Sequence, residues 1–249
     1  MKTIFNFIIN IKLIYIISNI NIRYNKNRMD HFIHISVSEL SEDRQCKLSK
    51  VIKNAGRKMT TFLRHKPSGT LSNVGKVIYE VNNNFLKFFR LNNINDFIAI
   101  VTTDNKERFA VFFKNNSEKY WVAATQGHSG DLTRIENVEK YLLERVSDIP
   151  YLWHGTKSEY KDSIIKNGLS RCNRFHIHMI GSDENDETDY NHNAVSGYRK
   201  SSDILIRINV KEAEKCGIVF WKSINGVYLT RGNDNGIIPS DYLEVLTIN

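Results

Sequence analysis

Cysteine is scarce in this chain, and what there is stands scattered: Cys46, Cys172 and Cys216 are the three, with no CxxC pair among them. An odd, isolated set excludes a disulfide scaffold and a structural zinc site, and fits a reducing compartment. The G-x-x-x-x-G-K-[ST] loop and the G-x-G-x-x-G fingerprint are both absent. Any nucleotide held here is held by neither a P-loop nor a Rossmann turn. No internal repeat is visible. No run of about 20 residues is apolar throughout, as a membrane span requires. The nearest approach is residues 1–22, MKTIFNFIINIKLIYIISNINI, which Asn6, Asn10, Lys12 and Asn19 interrupt. Lys2 and the Ile/Phe run supply half of a secretory signal, without a clear cleavage site. Residues 1–30 are therefore expected to be an appendage, either targeting or disordered, with Met29 as a second candidate start.

The rest of the chain is well supplied with core-forming residues. Hydrophobic residues make up 41% of 249, enough for one large domain or two small ones. The net charge of +8 favours a polyanionic partner, nucleic acid or a membrane surface; a generically basic proteome is the plain alternative.

Ser36 and Glu39 have capping-box spacing. Leu48, Val51, Ile52, Ala55, Met59, Phe62 and Leu63 then follow helical spacing, and Pro67 stops the helix. Val74, Val77, Ile78 and Val81 suggest a short helix. ERFAVFF (107–113) and YWVAAT (120–125) read as strands, joined by a turn at Asn115, Asn116 and Ser117. Helices followed by a hairpin is the order of a winged-helix module. Ile135, Val138, Leu142 and Val146 form a further helical face, closed by Asp148-Ile149-Pro150, where a domain boundary is expected. Short strands follow at 151–155, 175–180, 203–210, 217–222, 226–230 and 242–248. One helix lies among them, with Thr156 and Glu159 as a capping box and Gly168 as its stop. The fold class expected is α+β, divided into an appendage (1–30), a first lobe (31–148) and a strand-rich second lobe (149–249). The acidic, Asn-rich stretch 182–193 reads as a surface loop.

Several short motifs carry chemistry. Leu63-Arg64-His65-Lys66-Pro67 puts three basic side chains at a helix end. Arginine captures phosphate in a bidentate fork and histidine moves protons near neutral pH, although cations there also complement the helix dipole. Arg108, in KERF (106–109), lies at a strand start, where an edge charge is the plainer alternative. Gln126-Gly127-His128-Ser129 is a polar loop able to bind a ligand through its amides, or simply a turn. His154, Gly155 and Thr156 stand where a strand gives way to a helix, so that a ligand can approach Gly155 closely. Arg174, His176 and His178 alternate along a strand-like segment and would share one face. Two histidines at that spacing suit a metal, but no third ligand is placed convincingly, and the neighbouring arginine favours an anion. Arg199 is a further phosphate candidate, or a plain surface charge.

Taken in order, LRHKP (63–67), KERF (106–109), QGHS (126–129), HGT (154–156), RFHIH (174–178), GYR (197–199) and NGVYLT (225–230) resemble the RNA 2'-phosphotransferase family from about Leu48 to Val245. The resemblance implies a catalytic tetrad of Arg64, His65, Arg108 and Arg174. It implies NAD held by His154, Gly155, Thr156, His178 and Arg199, and RNA met by Lys66, Gln126 and His128. It also implies a winged-helix lobe followed by an ADP-ribosyltransferase-like lobe, with no metal. The partner implied is 2'-phosphorylated RNA, spliced tRNA in the family, and a monomer in cytoplasm or nucleus is expected, with organelle targeting open. The reaction implied has two steps. The RNA 2'-phosphate attacks the nicotinamide ribose, and the ribose 2''-hydroxyl then attacks phosphorus. The products are 2'-hydroxyl RNA, nicotinamide and ADP-ribose 1'',2''-cyclic phosphate. Because the substrate brings its own nucleophile, no Ser or Cys triad is needed, and none is recognisable in the sequence. The chain departs from the family pattern at Ala123, where arginine is usual, in lacking Gly-Trp after Pro67, and in 182–193, which reads as an insertion. An ADP-ribosyltransferase acting on nucleic acid or protein, and an inactive RNA-binding module, stay open as alternatives.

Overall fold

The computed structural model describes residues 32–35, 49–114, 119–182 and 201–247. The expected appendage, the Ser36–Glu39 box, the Asn115–Ser117 turn, Arg199 and residues 183–193 lie outside them.

Strand β1 (Phe32–Ile35) precedes helix α1 (Lys50–His65). Ser49 starts α1, its Oγ accepting the Ile52 N–H at 3.3 Å. Ala55, Met59, Phe62 and Leu63 form its buried face. Met59 and Leu63 have no exposed surface, worth roughly 1.5–3 kcal/mol each in burial. The helix expected at 74–81 is instead a hairpin of β2 (Asn73–Val74) and β3 (Ile78–Glu80). Gly75 and Lys76 have φ of +61° and +56°, and Val77 N–H bonds Val74 C=O at 3.1 Å. Two successive left-handed residues make the primed turn that hairpins require, and no helix tolerates them. Helices α2 (Asn83–Phe89) and α3 (Ile94–Thr102) follow, capped by the side chains of Asn82 and Asn93. Strands β4 (Phe109–Lys114) and β5 (Tyr120–Ala124) complete an antiparallel sheet of order β1-β4-β5-β3-β2.

Asp131 caps α4 (Leu132–Leu142). Val146, expected on that helix, lies instead in β6 (Leu143–Val146), which pairs with a strand far along the chain. That pairing outweighs the helical spacing of Val146. After Pro150 come β7 (Tyr151–Thr156), a single 3-10 turn at Ser158–Tyr160, and α5 (Lys161–Asn167). Thr156 does not cap this turn: it ends β7, and the Asp203 carboxylate accepts from both the N–H and the hydroxyl of Ser158. Gly168, with φ +82°, closes α5 as expected. Then follow β8 (Leu169–Ser170), β9 (Ile177–Met179), β10 (Ile204–Asn209), α6 (Val210–Lys215), β11 (Phe220–Ser223), β12 (Tyr228–Thr230), β13 (Ile237–Ile238) and β14 (Leu243–Thr247). Helix α6 was not expected; Asn209 caps it by accepting the Glu212 N–H at 3.2 Å.

The second half holds sheets ordered β14-β10-β7, β6-β11-β12-β9 and β13-β8. Reciprocal bonds of 2.9 Å between Trp153 and Ile180 lay β7 beside the end of β9. The architecture is α+β. One apolar core lies under α1–α3, a second between the later sheets, and a third is shared. In the shared core Ile78, Ala110, Trp121 and Ala123 from the first sheet meet Val138 and Leu142 of α4 and Val227 and Leu229 near β12. Ala123 is fully buried there, so the departure from the family's arginine is a core position in this chain. No helix among the described residues is long and apolar enough to cross a membrane.

Candidate active site

The C-terminal end of α1 carries Arg64 and His65, and the loop after β5 wraps it. Ser129 N–H bonds Arg64 C=O at 2.9 Å, and Ser129 Oγ lies 3.0 Å from His65 Nδ1. Gly127 in that loop has φ +82°, and a Cβ there would sit 3.4 Å from the Arg64 guanidinium carbon. Glycine is thus favoured by the backbone, while the arginine lies at ordinary contact distance.

Arg134 holds this junction together. It is 2% exposed. Its guanidinium donates to Lys76 C=O at 3.1 Å, to Arg64 C=O at 2.7 Å, and to the carbonyls of Leu63 and Ser129. The last carbonyls of a helix lack partners within the helix, and a buried cation there satisfies them and suits the dipole. One side chain on α4 therefore ties the α1 end, the β5 loop and the β2–β3 turn.

Arg108 lies just before β4 rather than within it. Asp104 accepts its N–H at 2.6 Å and pairs with its guanidinium. Thr125 reaches back to this turn, donating to Glu107 C=O at 2.9 Å. Arg174 is not in a strand: its N–H bonds Arg171 C=O in a turn, its surface is exposed, and β9 begins only at Ile177. The face expected to be shared by Arg174, His176 and His178 is therefore not formed: His176 lies in the bend and bonds Glu139, while His178, within the strand, bonds Gln126. The turn ends the alternation before Arg174.

Arg108 and Arg174 nonetheless both act on Arg64. Arg64 is drawn down to about 10, first by burial and then by the charge of Arg108; Arg174 adds to this and Asp104 opposes it. Its Nε–H is buried without a partner among the described residues. His65 is held below its ordinary value by burial first, then by Arg64, Arg134 and Arg174. It is neutral at pH 7. A cluster of three cations with one neighbouring carboxylate, already paired to Arg108, is short of negative charge. An anion would make up the deficit.

The other wall comes from β7 and β9. His154 Nδ1 donates to His178 C=O at 2.7 Å, so in its neutral form Nε2 is a lone-pair acceptor. His178 Nε2 donates to Gln126 Oε1 at 2.9 Å. Burial first, then Arg174, pushes His178 down to about 3, and it is neutral throughout the physiological range. His128 is 2% exposed and pushed well below 6.5 by burial and then by Arg134 and Arg64. Neither of its ring nitrogens has a partner among the described residues. Gly155 is buried opposite Leu205, and Thr156 is half-buried at the strand end. Lys66 is exposed just past α1. The described residues thus bring Arg64, His65, Arg108, Arg174, Gln126, His128, His154 and His178 to one region.

His176 faces elsewhere, donating from Nε2 to Glu139 Oε1 at 2.9 Å. Arg231 bonds the same carboxylate through Nε at 2.6 Å. Burial raises the Glu139 carboxyl, but the hydrogen bonds from His176 and Arg231 outweigh it and the net shift is down. Glu139 and Arg134, on opposite edges of the apolar stripe of α4, anchor that helix to both walls. Sequence reasoning missed both; the cue available was two charged residues in an otherwise apolar helical stripe, Arg134 and Glu139 beside Ile135, Val138 and Leu142.

Residues 49–232 match the model of the "RNA 2'-phosphotransferase, Tpt1 / KptA family". The chain is similar to "tRNA 2'-phosphotransferase 1" of Danio rerio, 32% identical over 157 residues, 63% of this chain and 67% of that one. The Bos taurus protein of the same name is 34% identical, over 63% of this chain and 59% of its own. That of Homo sapiens is 33% identical, over 64% of this chain and 61% of its own. The match thus spans about three fifths to two thirds of the length of these relatives.

Proposed function

The chain belongs to the RNA 2'-phosphotransferase, Tpt1 / KptA family, and on that premise we propose that it removes a 2'-phosphate from RNA in an NAD-dependent transfer, leaving a 2'-hydroxyl. The observation that carries the reading is the anion deficit at the α1 end: Arg108 and Arg174 acting on a buried Arg64 beside a neutral His65. Fixed cations aimed at a phosphoryl group are the main device available to such a transfer. Arg108 and Arg174 hold the phosphate, and Arg64 is the third anion contact. With Nδ1–H donating to Ser129 Oγ, His65 Nε2 carries the lone pair that accepts a proton from the attacking hydroxyl.

The residues of the second wall fit NAD. From the α1 wall, the Arg64 Nε–H, without a partner among the described residues, suits an anion such as the pyrophosphate. His154 Nε2 is an acceptor for a ribose hydroxyl, and Gly155 and Thr156 beside it leave room for a close approach. Bound NAD supplies an electrophilic anomeric carbon with nicotinamide as leaving group. His178, kept neutral, adds no charge that would compete for the phosphate. Gln126, hydrogen-bonded to His178, and His128 are the RNA contacts of the loop after β5, and Lys66 draws RNA in from solvent. Arg199 is the remaining NAD contact carried by the family motif. The helix-and-hairpin order of 31–148 supports a winged-helix-like RNA lobe, and the strand-rich 149–249 supports an ADP-ribosyltransferase-like NAD lobe. Spliced tRNA is the substrate proposed.

The test is an RNA carrying one labelled internal 2'-phosphate, incubated with and without NAD. Label moving to ADP-ribose cyclic phosphate only with NAD supports the reading. ADP-ribose left on the RNA, or no nicotinamide released, overturns it.

A further inference from the structure

A cavity of about 490 Å³ lies on the outer face of α1, against α3 and the Asp104–Arg108 turn. Its polar lining includes Lys53, Arg57, Thr60, Thr61, Asp104 and Arg108. Lys53, Arg57 and Thr61 are exposed. The single lining carboxylate, Asp104, is already paired with Arg108, so the cationic character of the walls is left uncompensated. Lys53, Arg57, Thr60 or Thr61, and Arg64 succeed one another at helical spacing and so form one stripe. At 1.5 Å per residue that stripe runs about 16 Å and ends at Arg64. Arg108 lines the cavity itself. Arg64 and Arg108 are both anion contacts in the function proposed above.

A 2'-phosphate inside an RNA is never alone, because phosphodiesters continue on both sides of it. A strand advances about 3.4 Å per phosphate in a stacked helix, so a 16 Å stripe is long enough for several. Exposed cations with interspersed hydroxyls suit such a backbone and read no base. We propose that this groove binds the RNA backbone flanking the 2'-phosphate, with Lys53 and Arg57 as phosphodiester contacts and Thr60 and Thr61 as hydroxyl partners. The proposal rests on the function assigned above for the place where the strand ends. The groove extends the site from one phosphate to a tract, and it favours long substrates over short ones.

The experiment uses the full chain and its Lys53→Ala/Arg57→Ala variant. Alanine is the best helix former, so α1 is retained. Substrates are a trinucleotide with a central 2'-phosphate and an RNA of about twelve nucleotides with the same centre. The expected result is a KM about tenfold higher on the longer RNA, with its kcat and the trinucleotide KM unchanged. A rise of equal size on both substrates, or none on the longer one, overturns the proposal. Binding of the longer RNA without its 2'-phosphate is followed against salt in parallel. The variant is expected to bind it more weakly, with a salt slope smaller by about 1.4. If the wild type turns over neither substrate, the family activity fails, and this binding arm alone decides the groove: unchanged affinity and slope in the variant sink it.

Discussion

The end of α1 and the β7–β9 edge serve one site by opposite electrostatic means. On the helix side, burial and then the charges of Arg108 and Arg174 draw Arg64 down to about 10, and its Nε–H has no partner among the described residues. Backbone carbonyls held by Arg134 keep that crowd in place. On the strand side, burial strips the charge from His178 and side chains fix its ring orientation. The lesson is a division of labour. A wall rich in charge selects an anion, while a neutral wall of directed donors and acceptors suits a ligand recognised by its hydroxyls.

Four changes would break or sharpen this contrast. The largest effect is expected from Arg134→Ala, which strands buried carbonyls at the helix end and loses about 3–4 kcal/mol of stability. Urea unfolding measures it, and Arg134→Lys is expected to recover little because lysine lacks the fork. A variant as stable as the parent would show that the α1 end is held by other means.

Next is Arg174→Ala, an exposed position whose loss leaves the fold intact. Removing one phosphate contact is expected to lower the rate of phosphate transfer by about 3 kcal/mol, more than a hundredfold, in single-turnover assays. A near-normal rate would take Arg174 out of the charged wall.

Acidification probes the neutral wall. His128 and His178 are both depressed in the folded protein, chiefly by burial, and return to about 6.5 when unfolded. Below pH 6.5 the unfolded chain binds more protons than the folded one. The stability fully present above 6.5 is therefore lost as pH falls, by up to about 1.4 kcal/mol per pH unit for each histidine. Urea midpoints measured from about pH 8 to pH 5 should drop accordingly. Midpoints that stay level would mean that these rings are charged when folded.

The smallest effect concerns the coupling of His65 to the cations. Because His65 is depressed, the acid limb of kcat/KM is expected below 6.5. Burial is the larger cause and Arg64 the second, so Arg64→Gln should move that limb upward without bringing it beyond the ordinary histidine value. The position of the limb is the readout, since its height falls for other reasons. A limb that stays put would uncouple the two side chains.

Much of the fold follows from local spacing. Ala55, Met59, Phe62 and Leu63 lie where helical periodicity puts them, and Gly168 stops α5 because a left-handed residue is needed there. Sequence spacing misleads at 74–81, where Lys76 takes a positive φ that no non-glycine residue advertises. It misleads again at Val146, whose strand partner Phe220 is supplied by distant chain. Thr156 has the composition of a cap, but the cap comes from Asp203, 45 residues beyond Ser158. In the site, motif order gathers the arginines and histidines into one region, yet the two residues that brace them, Arg134 and Glu139, work mainly through long-range bonds. Side chains that act across tens of residues leave no periodicity to read.

The shared core gives the protein a built-in optical reporter. Of its three tryptophans, Trp121 lies in the shared core and Trp221 packs against it from the other half, while Trp153 sits where β7 meets β9. Prising the two halves apart would carry Trp121 and Trp221 into water together and red-shift their emission. Intrinsic fluorescence therefore follows the seam between the halves more closely than it follows melting of α2 or α3, which contain no tryptophan.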